Sequence, residues 1–369
     1  MKIIIIGGGV VGCGAALELA DRGAEVLLFE RGELGAEASS AAAGILGAQV
    51  ELKEPSPLLK RFVRARALMR EWASELEQRT GDDVGYRASG VLRVARDSAD
   101  FTAIQRQAAW QRAEGVRSDV LGAAEARRLA PAISGGLHGA VWFEDDAQVD
   151  PRKLMRALIS AVSRINIEVR RDCEVTGVLT ESGRCIGVEF KQPGPNRGVA
   201  YADAVVVAGG SWSSRLAGLP CDWPQVEPIR GQMLELECET PSDSGSPIVY
   251  NCDGYVVPRG TGRVVCGSTM ESVGFSREVT PNAIESIRKN AITLVPALSR
   301  ARTVATWSNF RPFCGPGGPV IGVSSVPRLY LAAGHHRNGI LLARHTALAI
   351  ADAVLTNRPD ILPYAPLRS

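Results

Sequence analysis

The feature that most constrains the fold of this chain is its first thirty residues. The β-branched run Lys2–Ile6 is typical of a buried strand, and Gly7, Gly9 and Gly12 follow it at G-x-G-x-x-G spacing. In this pattern the first glycine allows a tight turn, the second admits a pyrophosphate, and the third lets the next helix pack closely. A helical stretch and a second apolar strand follow, and Glu30 ends that strand where a ribose-binding acid is expected. The stretch predicts a βαβ unit that binds an adenine dinucleotide, and it leaves FAD and NAD open. The alternative is an ordinary βαβ unit with a glycine-rich turn.

The composition of the 369-residue chain is that of a globular protein long enough for two domains. Hydrophobic residues make up 45% and charged residues 22%, and the net charge of +2 gives no support for a polyanionic partner. The eight cysteines contain no C-x-x-C pair, and the four histidines add no metal-ligating pattern. No uninterrupted apolar stretch is expected to reach the length of a membrane span. We therefore expect a cytoplasmic protein with reduced thiols and no metal, nucleic-acid partner or membrane segment.

Two later stretches repeat the strand-and-glycine pattern of the N-terminus. Residues 204–208 and 329–333 are apolar, and each runs into a glycine-rich turn as residues 3–6 do. Ligands of open α/β sheets bind at the carboxyl ends of parallel strands, so we expect the three turns at one cofactor-binding edge.

The pattern predicts two domains that are each assembled from separate segments. The second domain alternates apolar and polar residues more regularly, as antiparallel sheet does. The predicted segments are 1–85, 145–222 and 312–369 for the cofactor-binding domain, and 86–144 and 223–311 for the second. Within the first domain, residues 167–178 and 183–190 are expected to form a pair of neighbouring strands.

Six stretches together resemble the D-amino-acid oxidase family of flavoproteins, and within it the glycine oxidases of bacterial thiamine biosynthesis. They are Ile3–Gly12, the small-residue stretch Ser39–Gln49, Gly254–Arg259, Gly267–Met270, Arg311 with Pro312, and the H-x-R-N-G-I-L-L-A turn in Gly334–Ala343. The resemblance implies an α/β fold of two domains. One is a Rossmann-like FAD-binding domain of the glutathione-reductase-2 type, and the other is an inserted antiparallel β-sheet substrate domain. It also implies non-covalent FAD, because Cys314 does not match the cysteine that carries covalent flavin in related sarcosine oxidases.

The resemblance assigns cofactor contacts to the glycine turn, the small-residue loop, the end of the middle strand and the last turn. The implied cofactor-binding residues are Gly7, Gly9, Val10, Val11, Gly12, Glu30, Arg31, Ala38, Ser39, Ala43, Gly44, Ile45, Val175, Ala208, Gly209, Gly334, His335, His336, Arg337, Asn338, Gly339, Ile340 and Leu341.

The resemblance also implies a substrate pocket. Arg311 matches the arginine that clamps the substrate carboxylate, and Tyr255 matches a tyrosine that donates to the same carboxylate. Arg337 matches a second basic residue, and Met270 an apolar wall near the substrate Cα. We expect no histidine or glutamate that acts as a strong base in this pocket. Asp253 departs from the family pattern beside Tyr255, as His336 does in the last turn.

The implied function is FAD-dependent oxidative deamination of glycine and other small amines or amino acids, including sarcosine and small D-amino acids. Hydride passes to the flavin, O2 is reduced to H2O2, and the imine supplies the thiazole of thiamine, with thiazole synthase as a partner. Relatives form tetramers, so a homo-oligomer is expected. Two alternatives remain open: a D-amino-acid dehydrogenase with another electron acceptor, and a flavoprotein module in RNA modification.

Overall fold

The structure is a computed structural model that describes residues 1–238, 246–260, 262–315 and 318–356. Numbered along the chain, the strands are β1 (Lys2–Ile6), β2 (Glu25–Phe29), β3 (Ile45–Leu46), β4 (Val91–Ala95), β5 (Asp119–Leu121), β6 (Gly139–Phe143), β7 (Ala147–Gln148), β8 (Ile167–Arg170), β9 (Glu174–Glu181), β10 (Arg184–Lys191), β11 (Arg197–Tyr201), β12 (Ala204–Val207), β13 (Glu227–Glu237), β14 (Ile248–Tyr250), β15 (Tyr255–Gly260), β16 (Arg263–Gly267), β17 (Arg302–Phe313), β18 (Val320–Val323) and β19 (Leu329–Ala333). The helices are α1 (Val10–Asp21), α2 (Ala38–Ala41), α3 (Leu59–Thr80), α4 (Ser98–Ala113), α5 (Ala123–Leu129), α6 (Pro151–Ser163), α7 (Pro281–Leu294) and α8 (Gly339–Thr356).

A mostly parallel sheet carries the N-terminal motif, with strands in the order β18-β19-β12-β1-β2-β8. At its centre, Ile3 pairs with Ala204 on one side and Val26 on the other. A strand buried on both faces needs an apolar residue at every position, which explains the unbroken isoleucine run of β1. β1, β12 and β19 are parallel neighbours, so their carboxyl ends share one edge. This arrangement of the three strands is confirmed.

Helices cover one face of the parallel sheet, where α8 packs against α1 and α3. In the part of the chain that the structure describes, His336–Thr356 is long and apolar enough to span a membrane by length and composition. The expectation that no such stretch exists was therefore wrong. Of this stretch, 61% is buried inside the protein, and a buried core helix has the same composition as a spanning one.

The strand pair expected from residues 167–178 and 183–190 was wrong in one respect. The first of these stretches is broken at Asp172, whose backbone is left-handed with φ of 51°. Before the break, β8 joins the parallel sheet beside β2. After it, β9 pairs with β10 in a separate three-stranded antiparallel sheet. One stretch that was predicted as a single strand therefore contributes strands to two sheets.

A second large sheet has the strand order β17-β13-β16-β15-β14-β4-β6-β5. Its neighbours are antiparallel except for β14 and β4, which run parallel. α4, α5 and α7 pack against it. The mixed α/β fold with an added, largely antiparallel sheet is confirmed. β17 continues to Phe313, past the predicted domain boundary at residue 312. The predicted division of the chain into domain segments stays a proposal.

Candidate functional site

A cavity of about 550 Å³ lies between the parallel sheet and the second large sheet. Its wall begins at the carboxyl end of β1 and extends along α2 to the second sheet. One end of the wall contains Glu30 and Val175, and the other contains Tyr255 and Arg311. This elongated shape brings together residues that lie far apart in the sequence.

The glycine turn closes one side of the cavity by backbone packing. Gly7 has φ of +105°, and an added Cβ would lie 2.5 Å from the carbonyl oxygen of Ala208. A Cβ at Gly12 would collide with the carbonyl oxygen of Gly7. The carboxylate of Glu30 accepts hydrogen bonds from the amides of Gly8, at 2.7 Å, and Gly32, at 3.0 Å. The turn is therefore fixed at the N-terminus of α1, where backbone donors and the helix dipole favour an anion.

An aromatic and charged wall continues from this turn. The guanidinium of Arg31 lies 3.7 Å from the ring centroid of Trp212. Glu37 pairs with Arg31 at 2.7 Å and with Arg277 at 2.6 Å, and these ion pairs keep the pKa of Glu37 below its usual range although burial opposes the shift. The sequence interpretation missed Trp212 and Glu37 as cavity residues. Trp212 directly follows the glycines at the end of β12, which is the signal that could have found it.

The small-residue loop, residues 38–45, which begins with the short helix α2, is held in place by the second sheet. Trp307 donates its indole N–H to the carbonyl oxygen of Ala41 at 2.9 Å, and Arg259 donates to that of Ala43. Gly44 has φ of +71°, and a Cβ there would collide with the carbonyl oxygen of Val149. The loop therefore needs small residues, because it packs between the cavity and the backbone behind it.

Arg311 stands at the far end of the cavity with its guanidinium fork oriented by neutral groups. It donates to the carbonyl oxygen of Thr269 at 2.9 Å and to the hydroxyl of Ser268 at 2.6 Å. Gly231 leaves space for it, because a Cβ there would collide with the guanidinium. Within the described ranges Arg311 has no carboxylate at ion-pair distance. Burial lowers the pKa of Arg311, yet an arginine stays charged. The arrangement leaves one half-buried positive charge without an ion-pair partner in the described ranges.

Arg337 also lines this end of the cavity, and it already has a partner. Its Nε lies 2.7 Å and its Nη2 2.9 Å from the two carboxylate oxygens of Glu51. Nη2 also donates to the hydroxyl of Tyr250 at 2.9 Å. The sequence interpretation did not anticipate Glu51 in the cavity wall, and the expectation that no glutamate acts as a strong base there stays a prediction. Glu51 closely follows the small-residue loop, but its partner Arg337 lies 286 residues away in the sequence. No local sequence pattern could therefore predict this ion pair.

A profile of the family described as FAD dependent oxidoreductase (DAO) matches residues 2–353 of this chain. This chain belongs to the DAO family of FAD dependent oxidoreductases. The expected cofactor, FAD, and the recognition of the family are thereby confirmed.

Individual DAO relatives match nearly the whole chain. A glycine oxidase of Geobacillus kaustophilus (strain HTA426) is 34% identical over 368 residues, which cover 98% of this chain and 96% of that protein. A crystal structure of glycine oxidase from Geobacillus kaustophilus superimposes with a TM-score of 0.91 at 32% identity, covering 99% and 97% of the two chains. A bifunctional protein ThiO/ThiG of Nostoc sp. (strain PCC 7120) is 34% identical over 363 residues. The chain spans about half of that protein, 53%, against 98% of itself.

The cavity fits FAD. The turn closed by Gly7 and Gly12 offers the N-terminus of α1 to a pyrophosphate, and Glu30 at the end of β2 stands beside it. The small side chains of this loop leave room for a ring system between the two sheets. In the DAO family FAD is the redox group, and these residues would hold it.

Most of the predicted site residues line the cavity. The exceptions are Gly12, Met270, Gly334, Asn338 and Leu341, which are absent from its wall. Gly12 acts from behind by close packing. The roles of all the predicted residues as cofactor or substrate contacts stay predictions.

Met270 does not line the cavity, although its Sδ lies 3.6 Å from Nη1 of Arg337. The side chain of Met270 is 57% exposed, because the chain leaves the second sheet after β16. Met233 on β13 lines the cavity instead, with its Sδ 3.5 Å from the hydroxyl of Tyr255. Asp253 also stays outside the cavity wall and pairs with Arg96 at 2.5 Å.

The last turn contains two histidines that the fold holds neutral. Burial lowers the pKa of His335 to about 4, and burial together with Arg311 and Arg337 lowers that of His336 to about 4. His335 shares a hydrogen bond of 2.9 Å between its Nε2 and the hydroxyl of Thr346 in α8. Neither histidine contributes a positive charge to the cavity at neutral pH.

Replacing His335 by asparagine is expected to make the stability of the protein less sensitive to acid. Between pH 6.5 and 4 the unfolded chain binds a proton at His335 that the folded chain does not, so wild-type stability falls as pH falls. From pH 7 to 5 the free energy of unfolding should fall by about 2 kcal/mol less in the variant, at about 1.4 kcal/mol per pH unit below 6.5. Urea unfolding at pH 7, 6 and 5 in excess FAD measures this, with His138→Asn at an exposed site as the control. Parallel pH profiles for His335→Asn and the wild type would contradict it.

Proposed function

We propose that this protein oxidises glycine and other small amines or amino acids, including sarcosine and small D-amino acids, with FAD as the electron acceptor. The observation that carries the proposal is Arg311, a half-buried guanidinium that lines the cavity without a carboxylate partner in the described chain. A bidentate carboxylate is the ligand that such a fork binds best. The names of the relatives, glycine oxidase and ThiO/ThiG, support a small amino acid as the source of that carboxylate.

The residues around Arg311 suit a small substrate. With the carboxylate on Arg311, the hydroxyl of Tyr255 is free to donate to it as a second anchor, since its contact to Met233 is a weak one to sulfur. Met233 and Gly231 form an apolar, narrow wall that favours a short side chain. Two anchors fix the orientation of the substrate Cα toward the cofactor region. FAD, when bound, supplies the acceptor for the two electrons and the hydrogen of the Cα–H bond.

Proton handling in this proposal needs no side-chain base. The carboxylate of Glu51 is held by Arg337, and His336 is a neutral imidazole whose pKa is about 4. A substrate amine that binds in its neutral form can therefore lose the hydrogen from Cα without a protein base. Reduction of O2 to H2O2 follows in the proposed oxidase cycle. The imine would be released to thiazole formation in thiamine biosynthesis, with a thiazole synthase as partner, as the ThiO/ThiG name suggests.

The proposal is tested by mixing the FAD-loaded protein with single amino acids without oxygen. Glycine and sarcosine are expected to bleach the flavin absorbance within one turnover, and admitting air is expected to restore it with one H2O2 per substrate. Propanoate, which has the carboxylate but no amine, should shift the spectrum without bleaching it. If D-alanine and D-proline bleach the flavin while glycine does not, the glycine assignment is wrong. Restoration by a quinone but not by air would favour a dehydrogenase.

A further inference from the structure

The substrate end of the cavity contains three permanent charges. Arg311 and Arg337 are positive, and Glu51 is negative. Glu51 and Arg337 form a two-pronged pair, and their side chains are 14% and 23% exposed. Lys53 also interacts with Glu51, but it is exposed and absent from the cavity wall. The charge that faces a substrate is therefore +1.

The protonation states of Glu51 and its neighbours are consistent with this net charge of +1. Burial alone would raise the pKa of Glu51, but Arg337 outweighs burial and keeps this pKa below its usual range. The carboxylate is thus ionised at neutral pH. Burial, together with Glu51, raises the pKa of Tyr250, so its phenol stays neutral. Arg93, behind Tyr250, is balanced by Asp100 at 4.0 Å.

The backbone that carries Glu51 is fixed by a buried polar cluster. Asp146, fully buried, accepts hydrogen bonds from the amides of Gln49, at 3.2 Å, and Val50, at 3.0 Å. Arg66 of α3 pairs with the same carboxylate at 2.6 Å.

Two glutamines of α4 complete the cluster from the other side. The side-chain amide of Gln107 donates to the carbonyl oxygens of Gln49 and Leu52, both at 3.0 Å. That of Gln111 donates to the same two oxygens at 2.9 and 3.0 Å. Such buried hydrogen bonds hold the segment in one position, because breaking any of them leaves an unsatisfied polar group. These hydrogen bonds therefore fix the position of Glu51 in the cavity wall, unlike that of a carboxylate on a mobile surface loop.

We propose that Glu51 determines specificity by neutralising Arg337, so that the site accepts substrates with one carboxylate and rejects those with two. This inference rests on the proposed function. A single carboxylate on Arg311 brings the site to neutrality. A second carboxylate would face the carboxylate of Glu51, and Arg337 could not pair with it while Glu51 holds its fork. Like charges in a desolvated site repel strongly. Without Glu51, Arg337 would offer a second fork, and the site would suit amino and imino dicarboxylates.

The test compares ligand pairs that differ by one carboxylate. Propanoate and malonate binding is measured from the change that each causes in the flavin absorbance of the FAD-loaded protein. Turnover of sarcosine and iminodiacetate is measured as a second readout. The wild type is expected to bind propanoate more tightly than malonate. In Glu51→Gln the dissociation constant of malonate divided by that of propanoate is expected to fall by about tenfold to a hundredfold. The turnover rate with iminodiacetate is expected to rise relative to that with sarcosine.

Three variants serve as controls. Glu51→Asp keeps the charge and should retain most of the preference for one carboxylate. Glu144→Gln removes a surface carboxylate that pairs with Arg117 at 2.6 Å, so it repeats the chemical change outside the cavity and should keep the wild-type ratio. Glu51→Gln combined with Arg337→Met should lose the gain for malonate, because the freed fork is then absent.

The outcomes separate this inference from the proposed function. If the ratio of the malonate and propanoate dissociation constants in Glu51→Gln stays within twofold of the wild-type ratio while propanoate still binds, the role of Glu51 is overturned. The proposed function is not affected by that result. Wild-type protein that binds malonate as tightly as propanoate overturns the role of Glu51 without any variant. Wild-type protein that binds FAD but neither propanoate nor glycine overturns the proposed function as well.

Discussion

Replacing Arg311 by methionine is expected to lower kcat/KM for glycine by about two to three and a half orders of magnitude. Losing one partner of a buried, hydrogen-bonded charge pair costs about 3–5 kcal/mol, and about 1.4 kcal/mol corresponds to a factor of ten. Methionine fills a similar volume, so the loss would come from the missing fork rather than from an empty space. Steady-state kinetics over a range of glycine concentrations, with FAD content measured in parallel, gives the value.

Two further variants test whether the loss of activity comes from the guanidinium of Arg311. Arg311→Lys keeps the charge but not the two-pronged geometry, and it should recover only part of the activity. Arg302→Met removes an exposed arginine from the start of the same strand, where it pairs with Glu237, and should behave like the wild type. Wild-type kinetics in Arg311→Met, at full FAD content, would contradict the proposed carboxylate site.

Replacing Gly12 by alanine is expected to remove most of the bound FAD. The added Cβ would collide with the carbonyl oxygen of Gly7, which is backbone and cannot move without opening the turn. Opening it would pull the turn away from Glu30 and misplace the N-terminus of α1. Overpacking of this kind costs about 1–3 kcal/mol in stability. The ratio of flavin to protein absorbance after purification is expected to fall below about one tenth of the wild-type ratio, with lower stability to urea.

Gly136→Ala is the matched control for Gly12→Ala. A Cβ at Gly136 meets no atom within 4 Å, so this variant should keep FAD and stability. Normal flavin content in Gly12→Ala would show that the close packing of the turn is not needed for the cofactor.

The N-terminal unit could be predicted from sequence because its causes are local. The isoleucine run of β1, the glycine spacing and Glu30 lie within one βαβ unit, and each is required by backbone geometry. The helix that begins at Pro151 is a similar case, because Asp150 caps the amides of Arg152 and Lys153 at 3.0 and 3.2 Å.

Features that depend on distant contacts could not be predicted. The pairing of Glu51 with Arg337 joins residues 286 positions apart, and only the folded chain brings them together. Met270 and Met233 could not be distinguished by residue type, since the choice depends on where β16 ends and which face of β13 meets the cavity. The break at Asp172 could not be predicted because apolar and polar residues alternate on both sides of it, as they would in one continuous strand.

The order of the parallel sheet has a consequence for protein synthesis. β1 is synthesised well before its neighbour β12, which begins two hundred residues later at Ala204, and before β19, which begins at Leu329. The residues of the phosphate-binding turn are therefore translated long before the residues of β12 and β19 that stand beside that turn. Gly7 packs on Ala208, so we expect this turn to acquire its final geometry only after Ala208 has been translated. We therefore expect FAD to bind only after β12 has joined β1 in the sheet.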